Sequence, residues 1–232
     1  MCGRYTQTKG GEAVAIRFEC NPVELGLRYN QAPGQGGIVV TADEPRNLQF
    51  MHWGLLPQWM EPQSQMHPLI NARAETLSER KTFRDCFTRR RCLVPADGFY
   101  EWAQAAGTQK KQPYLFRMKD NSLFAFAGLW DRRVDESGNA TDSYCIITTP
   151  ANSIVEGIHD RMPAILKRED EDVWMDPDLE KADILTALLK PYPVEEMKVH
   201  PVSPKVNSAD YDQPDCIEEY QSPSDGQQYL KL

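Results

Sequence analysis

Arg91-Cys92-Leu93-Val94-Pro95-Ala96-Asp97-Gly98-Phe99-Tyr100-Glu101-Trp102 reads as a strand with a glycine-containing break, and what lies on either side of it decides the fold. Three more stretches of good β composition follow, at residues 113–118, 123–130 and 144–148. Within the second, Phe124-Ala125-Phe126-Ala127-Gly128 alternates large and small side chains, as the interior of a closely packed sheet does. Upstream, 38–42 and 48–55 are apolar, β-prone runs on either side of Asp43-Glu44-Pro45, which predicts a hairpin. Residues 197–202 close the set. These strands outnumber the helices and are not interleaved as βαβ units. The pattern therefore predicts an α+β protein with a mixed, largely antiparallel β-sheet closed or nearly closed into a barrel-like core, and helices packed outside it.

The helices expected around that core run over 11–19, 77–87, 152–158 with Asn152 as its cap, 168–175 and 179–190. Residues 27–34 read as an irregular loop ending in a Pro33-Gly34 turn. With 232 residues and 26.5 kDa the chain suits one large domain. That domain is expected over 1–209, followed by a Ser, Pro, Asp and Gln-rich tail, 210–232, of poor order. No apolar run is long enough for a bilayer and no signal peptide is evident, so a cytoplasmic protein is expected.

Six cysteines show neither a CxxC pair nor zinc-site spacing, so no metal is expected, and most should behave as small buried apolar groups. The net charge of −8 argues against nucleic acid, but its distribution does not. Residues 1–133 carry 18 Lys and Arg against 13 Asp and Glu, a net of +5, while 134–232 carry 8 against 21, a net of −13. One face can attract a polyanion, or the asymmetry reflects only solvated helices. Of the basic clusters, Arg89-Arg90-Arg91 is the better candidate for phosphate contact.

The chemistry begins at Met1-Cys2-Gly3-Arg4. Removal of Met1 would make Cys2 the N-terminus, with an α-amine and a thiol on adjacent carbons, both partly nucleophilic at neutral pH. Such a pair condenses with an aldehyde and closes a five-membered thiazolidine. The alternative is that an early cysteine is incidental. Glu101 between two aromatic residues is an expensive position for a carboxylate unless it is paired or working. His159, in Gly157-Ile158-His159-Asp160-Arg161-Met162-Pro163, is either structural or functional, and Trp53 and Trp59 are either core or base-stacking residues. There is no repeat, Gly-rich phosphate loop or nucleophile elbow.

Four stretches stand in one order: Met1-Cys2-Gly3-Arg4, Ile70-Asn71-Ala72-Arg73-Ala74-Glu75, Ala96-Asp97-Gly98-Phe99-Tyr100-Glu101-Trp102 and Ile158-His159-Asp160-Arg161-Met162-Pro163. Together they resemble the SRAP family, the SOS-response-associated peptidase-like proteins that sense abasic sites in single-stranded DNA. The similarity runs from residue 1 to about 203. It implies a covalent thiazolidine crosslink between Cys2 and the ring-opened abasic sugar, with Asn71, Glu101 and His159 as the surrounding catalytic residues. It further implies that Arg4, Arg73 and Arg161 hold phosphates, and that Asn30, Pro33, Trp53 and Trp59 belong to the DNA-binding surface. The partner would be single-stranded DNA containing an abasic site. The protein would be a monomer without cofactor, nucleoid-associated when on DNA if bacterial, and β-elimination at the lesion is a plausible side activity. Two rivals remain: an N-terminal-nucleophile cysteine peptidase or autoprotease, and a non-catalytic single-stranded DNA binding module.

Overall fold

The computed structural model describes residues 2–60, 67–104 and 111–221. Its strands are β1 (Tyr5–Gln7), β2 (Arg28–Gln31), β3 (Gly36–Thr41), β4 (Gln49–Trp53), β5 (Asn71–Arg73), β6 (Arg91–Ala96), β7 (Gly98–Gln104), β8 (Lys111–Met118), β9 (Phe124–Val134), β10 (Ala140–Pro150), β11 (Arg161–Pro163), β12 (Ile165–Leu166) and β13 (Met197–Pro201). The helices are α1 (Gly11–Phe18), α2 (Lys81–Arg89), α3 (Ser153–Glu156), α4 (Arg168–Met175) and α5 (Ala182–Leu188).

Five of the strands close into a ring. β3 pairs antiparallel with β4 and with β6, β6 with β9, and β9 with β10. β10 then closes the ring by running parallel to β4, with Ser143 opposite His52 and Tyr144 opposite Trp53. Beyond that closure, β10 also pairs with β5 and β11. A separate five-stranded antiparallel sheet has the order β13-β8-β7-β1-β2. The barrel-like core and α+β class expected from the sequence are thus present.

The period of two sorts the side chains. One face of all five ring strands supplies Val39, Met51, Trp53, Val94, Phe126, Tyr144 and Ile146 to a single buried cluster, which Tyr5, Phe99 and Phe116 of the second sheet join. The opposite face, with Leu93, Leu129, Cys145 and Ile147, is covered by Phe83 and Phe87 of α2, Trp174 of α4, Leu185 of α5, and Val14 and Phe18 of α1. Full burial of one such large side chain stabilises by ~1.5–3 kcal/mol. Gly37 is required where it stands: a Cβ there would fall 2.3 Å from the Tyr144 hydroxyl and 2.6 Å from that of Tyr5.

The break at Asp97-Gly98 is a buried polar joint. The Asp97 carboxylate accepts from Thr6 Oγ1 at 2.6 Å, from the Thr8 hydroxyl, and from Arg117 at 3.0 Å, which binds β1 to the β7–β8 hairpin. A Cβ on Gly98 would meet Thr6 Oγ1 at 2.8 Å.

Three sequence expectations are corrected. Residues 28–31 form strand β2 where a loop was expected, because its polar sequence lies at a sheet edge and its Tyr29 and Asn30 N–H groups donate to Asp212. The segment from Asp210 to Gln221 is packed despite its polar composition: Cys216 is buried, and Tyr100 donates its hydroxyl proton to the carbonyl oxygens of Tyr29 and Cys216. Residues 222–232 of the expected tail lie outside the described residues. Arg91, expected as a phosphate contact, is buried and donates to the carbonyl oxygens of Trp174, Phe87, Thr88 and Asp176. No helix among the described residues is long and apolar enough to cross a membrane.

Candidate active site

Cys2 is fully buried, just ahead of β1. Two contacts fix it. The Arg4 carbonyl oxygen, which accepts the Tyr100 N–H at 3.0 Å, also receives the Cys2 thiol at 3.8 Å, so β7 is drawn alongside the chain start. The Asn71 side chain, at the head of β5, donates to the Cys2 carbonyl oxygen at 3.0 Å and to that of Ile70 at 2.7 Å. Its Oδ1 is buried without a hydrogen-bond partner among the described residues. Parallel pairing of Asn71 with Ile146 of β10 positions this amide.

Glu101 lies on β7 opposite Tyr114, in the apolar surroundings foreseen from its neighbours. Burial raises its carboxyl from an ordinary 4.5 to about 7, and the negative charge of Asp160 adds to the effect. Burial also pushes the Cys2 thiol far above its usual range, with Glu101 contributing. With Met1 still attached, burial thus works against ionisation of the Cys2 thiol.

His159 follows α3, whose first turn is capped by the Asn152 side chain accepting from the Val155 N–H. The Arg161 N–H donates to His159 Nδ1 at 3.0 Å, and Asp160 Oδ1 lies 3.0 Å from the same nitrogen. Burial lowers the basicity of the ring, and Asp160 opposes the fall.

A cleft of about 480 Å³ opens at Glu101 and His159, lined also by Arg4, Trp102, Lys111 and Asn207, while Cys2 and Asn71 are not among its lining residues. The Arg4 guanidinium donates to Asn30 Oδ1 and to the Val206 carbonyl oxygen, both at 2.8 Å, and sits 5.8 Å from the Trp102 ring centroid. Trp102 in turn donates to Asn207 Oδ1 at 2.7 Å. Among the described residues no group of three or more His, Cys, Asp or Glu could hold a metal ion.

The other sequence candidates are placed differently. Trp53 is fully buried against Tyr5 and Tyr144 and donates to the Ile70 carbonyl oxygen, so it is core and not a stacking surface. Asn30 is likewise buried: its amide nitrogen donates to the carbonyl oxygens of Val206, Ser208 and Tyr211, so it supports Arg4 from behind. Arg161 forms a two-pronged ion pair with Glu75, at 2.6 and 3.0 Å, and its side chain is 11% exposed. Arg73, Pro33 and Trp59 are exposed and do not line the cleft. Lys111, Trp102 and Asn207, which sequence reasoning missed as site residues, do line it. Trp102 stood inside a quoted motif, whereas Lys111 and Asn207 carry no local signal.

The chain is 38% identical to the abasic site processing protein YoqW of Bacillus subtilis over 95% of its own length and all of the relative's. It is 31% identical to the abasic site processing protein HMCES of Rattus norvegicus, over 82% of this chain and 64% of that one. A crystal structure of a Bacteroides thetaiotaomicron protein matches with a TM-score of 0.83 at 29% identity, covering 95% of this chain and all of that one. The family model described as SOS response associated peptidase (SRAP) matches residues 1–209. With that match spanning the ring, the second sheet and the cleft beside Glu101 and His159, the chain belongs to the SRAP family.

Proposed function

We propose that this protein processes abasic sites in single-stranded DNA by forming a covalent thiazolidine through Cys2 once Met1 has been removed. The observation that carries this reading is the Cys2–Asn71–Glu101 grouping: a buried thiol whose own carbonyl is held by an amide, beside a carboxyl group raised to about 7. A group of that basicity can both take and return a proton near neutral pH.

The steps are as follows. The closed sugar opens when a proton leaves the anomeric hydroxyl and one reaches the ring oxygen, a transfer suited to His159. The α-amine of Cys2 attacks the aldehyde carbon, and the carbinolamine expels water with a proton from Glu101, giving a protonated imine. Glu101, now ionised, accepts the thiol proton while sulfur bonds to the imine carbon. The carbon–nitrogen π electrons return to nitrogen, which keeps its hydrogen, and the five-membered ring closes. Asn71 keeps the Cys2 carbonyl fixed throughout. Arg4, braced over Trp102, and Lys111 offer positive charge to the flanking phosphates.

The test is to mix purified protein with a single-stranded oligonucleotide carrying one abasic site and follow the product on denaturing gels and by intact mass. The expected product survives denaturant and high salt, and its mass equals Met1-less protein plus oligonucleotide minus one water. Cys2→Ser should give only a reversible imine, trapped by borohydride. Equally durable product from Cys2→Ser overturns the assignment of sulfur, and salt-reversible binding alone favours a non-covalent module.

A further inference from the structure

Asn207 reaches the cleft with its orientation already decided. The turn that carries it, 204–207, is anchored by Val206, which is fully buried in a cluster with Tyr100 and Leu115. The Val206 carbonyl oxygen accepts from Arg4 Nη1 at 2.8 Å, and the next side chain along, Asn207, accepts the Trp102 indole N–H on its Oδ1 at 2.7 Å. An indole nitrogen donates and never accepts. The amide oxygen of Asn207 must therefore face Trp102, and its Nδ2 must face away. Among the described residues Trp102 is the one hydrogen-bond partner of the Asn207 side chain, and the Arg4 guanidinium spends only Nη1, on Asn30 and Val206.

Trp102 stands between the two. The Arg4 guanidinium lies 5.8 Å from its ring centroid, and Asn207 holds its N–H. This part of the cleft lining thus offers the two N–H groups of a neutral amide beside a cation with donors to spare, and Lys111 adds a second cation. Groups that only donate fit an anionic oxygen. In a single strand at an abasic position those oxygens belong to the phosphodiesters, since the lesion brings no base. We propose that Asn207 is a further substrate-binding residue, whose Nδ2 donates to a backbone phosphodiester of the bound strand. The proposal rests on the abasic-site reading for its ligand.

A neutral donor and a cation leave different marks on binding. Neutralising a phosphate with Arg or Lys releases counterions and steepens the salt dependence, whereas an amide adds affinity and leaves that slope alone. The competing role for Asn207 is to brace Trp102 and nothing more. The two roles rank variants in opposite order. Asn207→Asp keeps an oxygen for the indole N–H but replaces the amide donors with a charge of the phosphate's own sign, and Asn207→Ala removes brace and donors together.

The probe is a single-stranded oligonucleotide carrying one tetrahydrofuran residue, an abasic sugar with no aldehyde to trap, so that binding stays reversible and fluorescence anisotropy reads a Kd. Asn207→Ala should weaken binding roughly tenfold at every salt concentration, on a line of log K against log salt parallel to the parent's. Lys111→Ala should instead flatten that line by about 0.7. Asn207→Asp should bind more weakly than Asn207→Ala. Single uncharged methylphosphonate linkages moved along the strand then locate the contact: at one linkage the parent should lose more affinity than Asn207→Ala does. If Asn207→Asp binds better than Asn207→Ala, Asn207 is a brace and the proposal is overturned. Equal losses by parent and Asn207→Ala at every linkage overturn it too. If the contact is found but the parent never crosslinks a strand with a true abasic site, the failure belongs to the thiazolidine reading, and the phosphodiester contact is supported.

Discussion

Asn71 holds Cys2 by the backbone and not by the thiol: its side-chain amide donates to the Cys2 carbonyl oxygen at 3.0 Å. That contact would survive any change in the state of the sulfur and orients the bond leading to the amine. Asn71→Ala should slow crosslinking by roughly 10- to 100-fold through lost orientation. It should cost only about 1 kcal/mol of stability. Single-turnover gels and a urea titration measure the two effects separately.

Glu101 destabilises the neutral-pH fold. Its carboxyl has a pKa near 7 when folded and an ordinary value of 4.5 otherwise, so the folded state binds more protons between those values. Stability from this group is fully present below 4.5 and falls as pH rises through 7. Glu101→Gln should therefore gain stability on the order of 2–3 kcal/mol over the parent at pH 8, and the gain should vanish by pH 4.5. The same variant should lose crosslinking, because an amide cannot carry the proton. Thermal melts at the two pH values check the first statement.

Arg161, which the family resemblance assigns to a DNA phosphate, is engaged by Glu75 in an ion pair. Glu75→Gln should bind single-stranded DNA more tightly at low salt. The slope of log K against log salt should steepen by about 0.7 for one additional phosphate contact. Fluorescence anisotropy across a salt series reads this directly, and an unchanged slope would show that Arg161 stays out of the phosphate track.

The two tryptophans of the 53–59 stretch should behave oppositely. Trp53 is fully buried, so Trp53→Ala should destabilise by about 3–5 kcal/mol. Trp59 is 50% exposed, so Trp59→Ala should leave the fold intact; if it stacks on a base, DNA affinity drops by ~1–3 kcal/mol. Circular dichroism melts and binding isotherms separate them.

Asp212 ties the chain's last packed segment to the cleft. Its carboxylate accepts from the N–H groups of Tyr29 and Asn30 at 2.6 and 2.9 Å, and Asn30 braces Arg4. Asp212→Ala leaves those donors unpaired and should cost about 1–3 kcal/mol. DNA affinity should fall with it as Arg4 loses its support. Hydrogen exchange at Tyr29 and Asn30 locates the damage.

Much of the fold is readable from local pattern because its strands are local: the 38–42 and 48–55 runs pair as neighbours, and the alternation through Phe124 to Gly128 marks the face turned into the ring. What escapes is what depends on distance along the chain. Strand β2 is polar and is held by a carboxylate about 180 residues away. The parallel closure of β10 on β4 has no sequence mark. Glu101 stands out through its cost in an apolar segment and Cys2 through its place behind Met1, whereas His159 comes forward through the family resemblance. Asn207 and Lys111 reach the cleft only because the 204–207 turn and β8 arrive there. Burial raises the Cys2 thiol, and burial is what a composition cannot report.

Strand β10 gauges the distance between the two halves of the site. Residues 146–148 set Asn71 and its neighbours in parallel register, and residues 148–150 set Arg161 to Pro163 antiparallel, immediately after His159. Adding or deleting one residue within 146–150 would shift β11, and His159 ahead of it, out of register with β5 and Asn71. An inserted residue is better tolerated at the other end of this hairpin, in the Asp135–Asn139 turn, where Gly138 already adopts a left-handed φ of 85° and a longer loop leaves the β5 and β11 pairings in place.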